Sequence, residues 1–270
     1  MKRRFVWPRE HGAWAMFLLP FFAGLVAAGD LRWEALPALV AVLGIFLMQE
    51  PLLVLLRQRY VWKERRESTA DAAFSLTWLL PLWTVSVGIL FWRLPWQPLV
   101  ALGLLAAALA GLRAVFTLSN RQRFVLLQLL EAAGLSSTAL LAYLCAGRGL
   151  PRAAWLLWGV FSLHHAAALF VIRARLEAIT ASRGRAAQRA FRITAWCGQA
   201  AVLGAAVLAL VEGNPRLAAA FAVPFAFHTR DLLLLDHPAV LGTPLTRVGW
   251  REVAISLAFA ALVASAMGAA

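Results

Sequence analysis

Charge is what this 270-residue chain has little of. Asp, Glu, Lys and Arg together make up 14% of it, against 62% hydrophobic residues. Soluble domains carry about 25% charged and about 45–50% apolar residues. A water-soluble globular fold is therefore excluded, and lipid is the solvent that accepts the surplus apolar surface. Cysteine is almost missing as well. Cys145 and Cys197 both fall in apolar runs, read as two buried thiols. That excludes a disulfide framework and offers no metal-ligand spacing. Lysine is reduced to Lys2 and Lys63, so arginine carries nearly all of the positive side of the +13 net charge. A soluble chain this basic would point to nucleic acid. Here the basic residues mark a membrane face, and no nucleic-acid partner is expected.

What is present is a series of long apolar runs. They cover Gly12–Ala28, Ala35–Leu56, Ala72–Phe91, Gln97–Val115, Phe124–Ala146, Ala153–Ile172, Ile193–Val211, Leu217–Phe227 and Val253–Met267. Each is too long and too uniformly apolar for an alternating barrel strand, so each reads as a helix. The expected fold is all-α: a polytopic membrane bundle of about nine spans forming one transmembrane domain over 1–270. Nine spans of about 20 residues use about 180 positions. The remainder is shared among loops and ends, with no room for a separate soluble catalytic domain. The eighth run continues toward Leu235, and its polar end, His228 to His237, is read either as the inner end of the span or as an interfacial helix that leaves the bilayer. Lys2, Arg3 and Arg4 mimic a signal-peptide n-region. The apolar run starts late and is near full span length, so an uncleaved first helix is expected.

Basic residues orient the bundle. With the N-terminus inside, 21 of the 26 Lys and Arg fall on one side and 5 on the other. That is the positive-inside pattern, and a miscounted span would scramble it. The N-terminus is expected in the cytoplasm and the C-terminus outside. Trp7, Trp33, Trp62, Trp92, Trp96 and Trp250 fall at the expected interfaces, as an aromatic belt does. The Arg-x-Arg pairs at 57/59, 121/123 and 173/175 are unequally spaced and read as cytoplasmic anchoring charge.

Ionisable groups inside a span are costly and are functional candidates by default. Glu50 lies in the inner part of span two. Glu131 lies about two turns into span five, with Gln128 three residues earlier on the same face. His164 and His165 sit near the middle of span six, Gln199 two turns into span seven, and Glu10 and His11 at the opening of span one. His228 and Asp231 share a face in span eight. All fall in the cytoplasmic half, which predicts a polar cavity facing the cytoplasm and sealed above by apolar packing. His11, Glu50, Glu131 and one of His164 or His165 are expected to line it. The alternative is isolated helix–helix ion pairs, Glu131 with Arg113 among them. Adjacent helical residues point about 100° apart, so His164 and His165 do not face one centre. His228, Asp231, Asp236 and His237 lack a third clear ligand on one face, and no metal or cofactor is expected. Pro20, Pro51, Pro81 and Pro224 break backbone hydrogen bonds within spans.

The most distinctive string is Pro8-Arg9-Glu10-His11-Gly12-Ala13-Trp14-Ala15-Met16. It resembles the signature of the YwiC-like family of bacterial membrane proteins, a His-Gly-Ala-Trp motif at the first span. Arg173 to Leu176 after span six and the Gly249-x-x-Glu252 opening of the last span extend the resemblance along the chain. It implies a multi-pass protein of the bacterial cytoplasmic membrane and carries little chemistry.

The architecture also resembles the UbiA-type intramembrane prenyltransferases: nine spans, N-terminus inside, a polar cavity toward the cytoplasm. That superfamily holds Mg²⁺-diphosphate with two Asp-rich motifs, at the inner end of span two and after span six. This chain has Gln49-Glu50-Pro51 with no Asp following, and only Glu177 after span six. The carboxylates that bridge Mg²⁺ to phosphate are absent. Arg57, Arg121, Arg123, Arg173 and Arg175 are the groups available to bind an anionic head directly.

The first functional reading is thus binding or modification of an amphipathic, lipid-like or isoprenoid ligand. His11, Glu50, Glu131, His164 and His165 are its catalytic candidates. Arg9, Glu10, Arg57, Arg113, Arg121, Arg123, Gln128, Arg173 and Arg175 are its binding candidates. A membrane transporter is the second reading. A non-catalytic accessory protein, partnered within a membrane complex, is the third.

Overall fold

A computed structural model describes residues 3–8, 11–64, 67–119, 124–180 and 184–268. Its elements are α1 (His11–Ala28), α2 (Ala35–Arg57), α3 (Glu67–Arg93), α4 (Trp96–Leu118), α5 (Val125–Ser136), α6 (Thr138–Cys145), α7 (Arg152–Thr180), α8 (Gly184–Val211), α9 (Pro215–Leu233), α10 (Pro238–Leu241) and α11 (Leu245–Met267). One π-helical stretch, Gln58–Trp62, prolongs α2. No strand occurs among the described residues. Apolar runs in lipid leave the backbone no outside partner, so helices satisfy it internally.

Seven stretches are long and apolar enough to cross a membrane: Ala35–Trp62, Ser68–Arg93, Trp96–Leu118, Val125–Cys145, Arg152–Thr180, Gln188–Val211 and Leu245–Met267. Gly12–Ala28 is a shorter apolar helix. The protein is a multi-pass membrane helical bundle. All six tryptophans expected at interfaces are exposed. Pro20, Pro51, Pro81 and Pro224 all lie inside helices, as expected.

Short polar strings set the boundaries. Gly213 takes φ 73° just after α8. Asn214 then caps α9, its side chain accepting from the Leu217 amide at 3.0 Å, with Pro215 opening the helix. Gly supplies the left-handed turn, Asn accepts an orphan amide, and Pro needs no amide partner at the first position.

Helix α1 lies at the centre. It packs against α6 and α11, with α5 and α7 beside it, so the first and last long helices are neighbours. Hairpins α2–α3 and α8–α9 flank this middle. Phe17, Phe21, Phe161, Phe221 and Phe259 are fully buried in the interior. Small residues bring backbones together: a Cβ at Gly24 would lie 2.8 Å from the Ala142 Cβ and 2.9 Å from the Ala139 carbonyl. Helix α4 is peripheral. It rests mainly on α5 and α2, and little of it is buried.

The polar end of the eighth run stays helical: α9 continues unbroken to Leu233, with His228 and Asp231 buried. Ion pairing with α11 turns this polar end inward. One expectation needs correction: of the two thiols, Cys145 is buried but Cys197 is exposed on α8, on a surface that lipid accepts.

Candidate functional site

The expected fifth span is interrupted. Helix α5 ends at Ser136 and α6 begins at Thr138. At the junction the Ser137 amide bonds back to Gly134 O at 3.1 Å, a tightened turn. Hydroxyls occupy the carbonyls around it. Ser137 donates to Gly134 O (2.6 Å), and Thr138 to Phe17 O on α1 (2.7 Å) and Leu135 O (3.0 Å). Ser and Thr can offer such local bonds, which is why a break is tolerated here inside an apolar bundle.

This junction forms one wall of a cavity of about 570 Å³ lined by residues of α1 to α6. Its walls are mostly aliphatic and aromatic, including Phe17, Phe46, Leu99, Gly103 and Leu141. Leu99 and Arg113 mark its two ends on α4, about 21 Å apart at 1.5 Å rise per residue. Polar groups gather at the Arg113 end. Arg113 Nη1 lies 3.7 Å from Glu131 Oε1, and Gln49 also lines the cavity. Trp83 lines the middle, and its indole N–H is buried with no partner.

The expected shared pocket does not form as drawn from the sequence. Glu131 lines the cavity, but Glu50 is half-buried on α2 outside its lining, and Gln49 takes that place. The reason is helical phase: successive residues turn by about 100°, so only one of the pair faces α4. His164 and His165 also lie outside the lining, buried beyond the α5–α6 wall. His164 bonds Ser256 at 3.0 Å and His165 bonds Ser136 at 2.9 Å. They face different partners, as adjacent helical residues do. The Arg113–Glu131 pair is present, so the ion-pair and cavity readings meet at one place.

The arginines differ in their setting. Arg173 donates to Gln128 Oε1 (2.9 Å from Nε), joining α7 to α5. Arg175 donates to the carbonyls of Thr243 (3.1 Å) and Val240, holding the α10 turn. These two guanidiniums serve helix packing here. Arg57 closes α2. Arg9, Glu10, Arg121 and Arg123, and the side chain of His11, lie outside the described residues.

Among the described residues no group of three or more His, Cys, Asp and Glu is placed to hold a metal. His228 instead donates to Glu252 (2.9 Å), Asp231 receives Arg251, and Asp236 receives Arg192. Gln49, Trp83, Ser136, Arg251 and Ser256 were not singled out from the sequence. Ser256 follows Glu252 by four residues, one face of a helix, and that spacing was the available signal.

A family profile described as YwiC-like protein matches residues 7–143. This chain belongs to the YwiC-like family. Every cavity-lining residue of this YwiC-like chain falls inside the matched segment. A 52-residue stretch is 36% identical to "Uncharacterized protein YwiC" of Bacillus subtilis (strain 168), covering 19% of this chain and 21% of that protein. The alignment thus spans about a fifth of the curated relative. No solved structure matches.

Proposed function

We propose that this YwiC-like protein is a nine-span protein of the bacterial cytoplasmic membrane, with α1 and α9 as the two spans added to the seven long apolar stretches. In this reading the cavity between α1 and α6 binds an amphipathic, lipid-like or isoprenoid ligand. The observation that carries it is the polarity gradient along the cavity. The cavity runs about 21 Å along α4, mostly apolar, with the Arg113–Glu131 pair at one end. Such a space suits a hydrocarbon tail laid along α4, with few convergent polar groups at the head. The paired Arg113 and Glu131 offer a donor and an acceptor side by side, which suits a hydroxyl-bearing head. The excess of basic residues on one side supports an orientation with this end toward the cytoplasm.

Mass spectrometry of the lipid extract from purified protein tests the reading. A stoichiometric amphipathic ligand is expected. Arg113→Leu should weaken its retention about ten- to a hundredfold, the equivalent of about 1.5–3 kcal/mol for a charge-assisted hydrogen bond. Gly103→Trp gives a second arm. A Cβ at Gly103 meets nothing within 4 Å, so the indole should fill the cavity and exclude the ligand while the protein still folds. Retention by Gly103→Trp equal to wild type would remove the cavity from consideration.

A further inference from the structure

The cavity leaves the other half of the bundle unexplained. There, side chains of α5, α7, α9 and α11 build a polar column through the interior. At one end Arg251 donates to both oxygens of Asp231 (2.9 Å from Nη1 to Oδ1), and its Nη2 lies 3.2 Å from Glu252 Oε1. Glu252 Oε2 accepts from His228 Nε2 at 2.9 Å. The His164 ring lies parallel to that of His228, 14° between planes and 6.5 Å between centroids. His165 follows at 5.3 Å from His164 and ends the column on Ser136.

The hydrogens can be placed. Ser136 donates its own hydroxyl to Ala132 O at 2.8 Å, so it accepts from His165 Nδ1–H. His165 Nε2 then carries a lone pair. His228 gives its Nε2–H to a carboxylate, so Nδ1 holds the lone pair of the neutral ring. Both nitrogens are buried without a protein partner, and so are His164 Nδ1, Thr229 Oγ1, Arg251 Nε and both amide atoms of Gln199. Gln199 lies on α8, which packs against α7 and α9. An unpaired buried polar atom costs about 1–3 kcal/mol. Bonds that only fasten helices together do not require such a set. Polar atoms clustered in an interior are the places where internal water binds.

We infer that this column is a water-reached proton path, entered at Asp231, Arg251 and Glu252 and running through His228 and His164 to His165. A hydronium ion arriving along the water breaks one O–H bond, gives that proton to the His228 Nδ1 lone pair and is left as neutral water, and the imidazolium is balanced by Glu252. The new N–H bond then breaks as the proton passes to the next water and on toward His164, and His228 returns to its neutral form. The charged groups around His228 are Glu252, Asp231, Arg251, Arg230 and Arg175; His164 is faced by His165 and His228. The path ends at the α5–α6 junction. Ser136 is turned to α7 there, while Leu135, Ser137 and Thr138 line the cavity. The path stands whether or not a ligand occupies that cavity.

Solid-state NMR of the full-length protein in lipid bilayers, with ¹⁵N-labelled histidine, tests this. Magnetisation from water is expected to reach the rings of His228, His164 and His165. Transfer that reaches none of them, or stops at His228, overturns the path. Glu252→Gln supplies the second arm. Loss of the carboxylate that balances the His228 imidazolium should slow exchange of the His164 and His165 ring protons with D₂O by about a hundredfold. Loss of a purely structural bond loosens the bundle, so exchange that is unchanged or faster overturns the proposal. Should that variant fail to fold, exchange in wild type under mild denaturant decides. Rates that follow global unfolding show a dry array, and rates independent of it show a hydrated one.

Discussion

At the residue scale, two glycines show opposite surroundings with opposite consequences. Gly24 lets α1 meet α6, and a methyl group there would press on a backbone carbonyl at 2.9 Å. Overpacking of this kind costs about 1–3 kcal/mol. Gly24→Ala should therefore lower the thermal unfolding midpoint in detergent, and an unchanged midpoint would show that α1 and α6 can part without loss. Gly103 has open space instead, so its substitution acts on the cavity and not on packing. Both glycines look alike in the sequence, each inside an apolar run. Charge was the more readable signal, and it led to Glu131 and Arg113. It also led to Glu50, one residue from the Gln49 that lines the cavity. The choice between those two depends on which face α2 turns to α4, and a run apolar on all sides carries no such phase.

At the element scale, the α2–α3 hairpin is fastened at its open end. Arg93 donates to Glu34 Oε1 from Nε (3.1 Å) and Nη2 (2.9 Å), and its guanidinium lies over Trp33 (5.4 Å) and Trp92 (5.8 Å). A hydrogen bond from the Glu34 backbone amide and the Arg93 guanidinium hold its carboxyl below the ordinary 4.5, against the opposing effect of burial. A carboxylate depressed in the folded state contributes fully above its unfolded value. That contribution is lost as pH falls through the folded value. Glu34→Gln should thus be less stable than wild type at neutral pH, with the gap closing as pH drops below 4.5. Thermal unfolding at several pH values checks this, and a constant gap would remove the ion pair as its cause. The α5–α6 break was not legible, because Ser136-Ser137-Thr138 reads as a short polar interlude in an apolar run. Only the bonds from Thr138 to α1 and Ser136 to α7 show what it does.

At the scale of the whole molecule, the arrangement joins two unlike halves along α1 and the α5–α6 junction. One half encloses the apolar cavity and coincides with the family-matched segment. The other holds the histidine column. The nine-span reading places an odd number of crossings between the ends, so the C-terminus should lie outside. A reporter active only outside the cytoplasm, fused after the last residue, should be active. Activity confined to a cytoplasmic reporter would reverse the assignment.

Composition and periodicity determined the solvent, the helical class and the approximate element boundaries, because a continuous apolar run in lipid has few other ways to satisfy its backbone. The first-span motif pointed to the family. Tertiary structure decided which polar residues meet. Glu131 turned out to share a cavity with Arg113 and Gln49, while His164 and His165 lie beyond its wall with Ser256 and Ser136. It also turned the end of α9 inward, because Arg251 and Glu252 on α11 stand where Asp231 and His228 need them. Depth along a helix can be read from spacing within one run. Rotation about the helix and the choice of neighbour depend on the packing of small residues such as Gly24 and Ala142, which are spread over separate runs and have no local signature of their own.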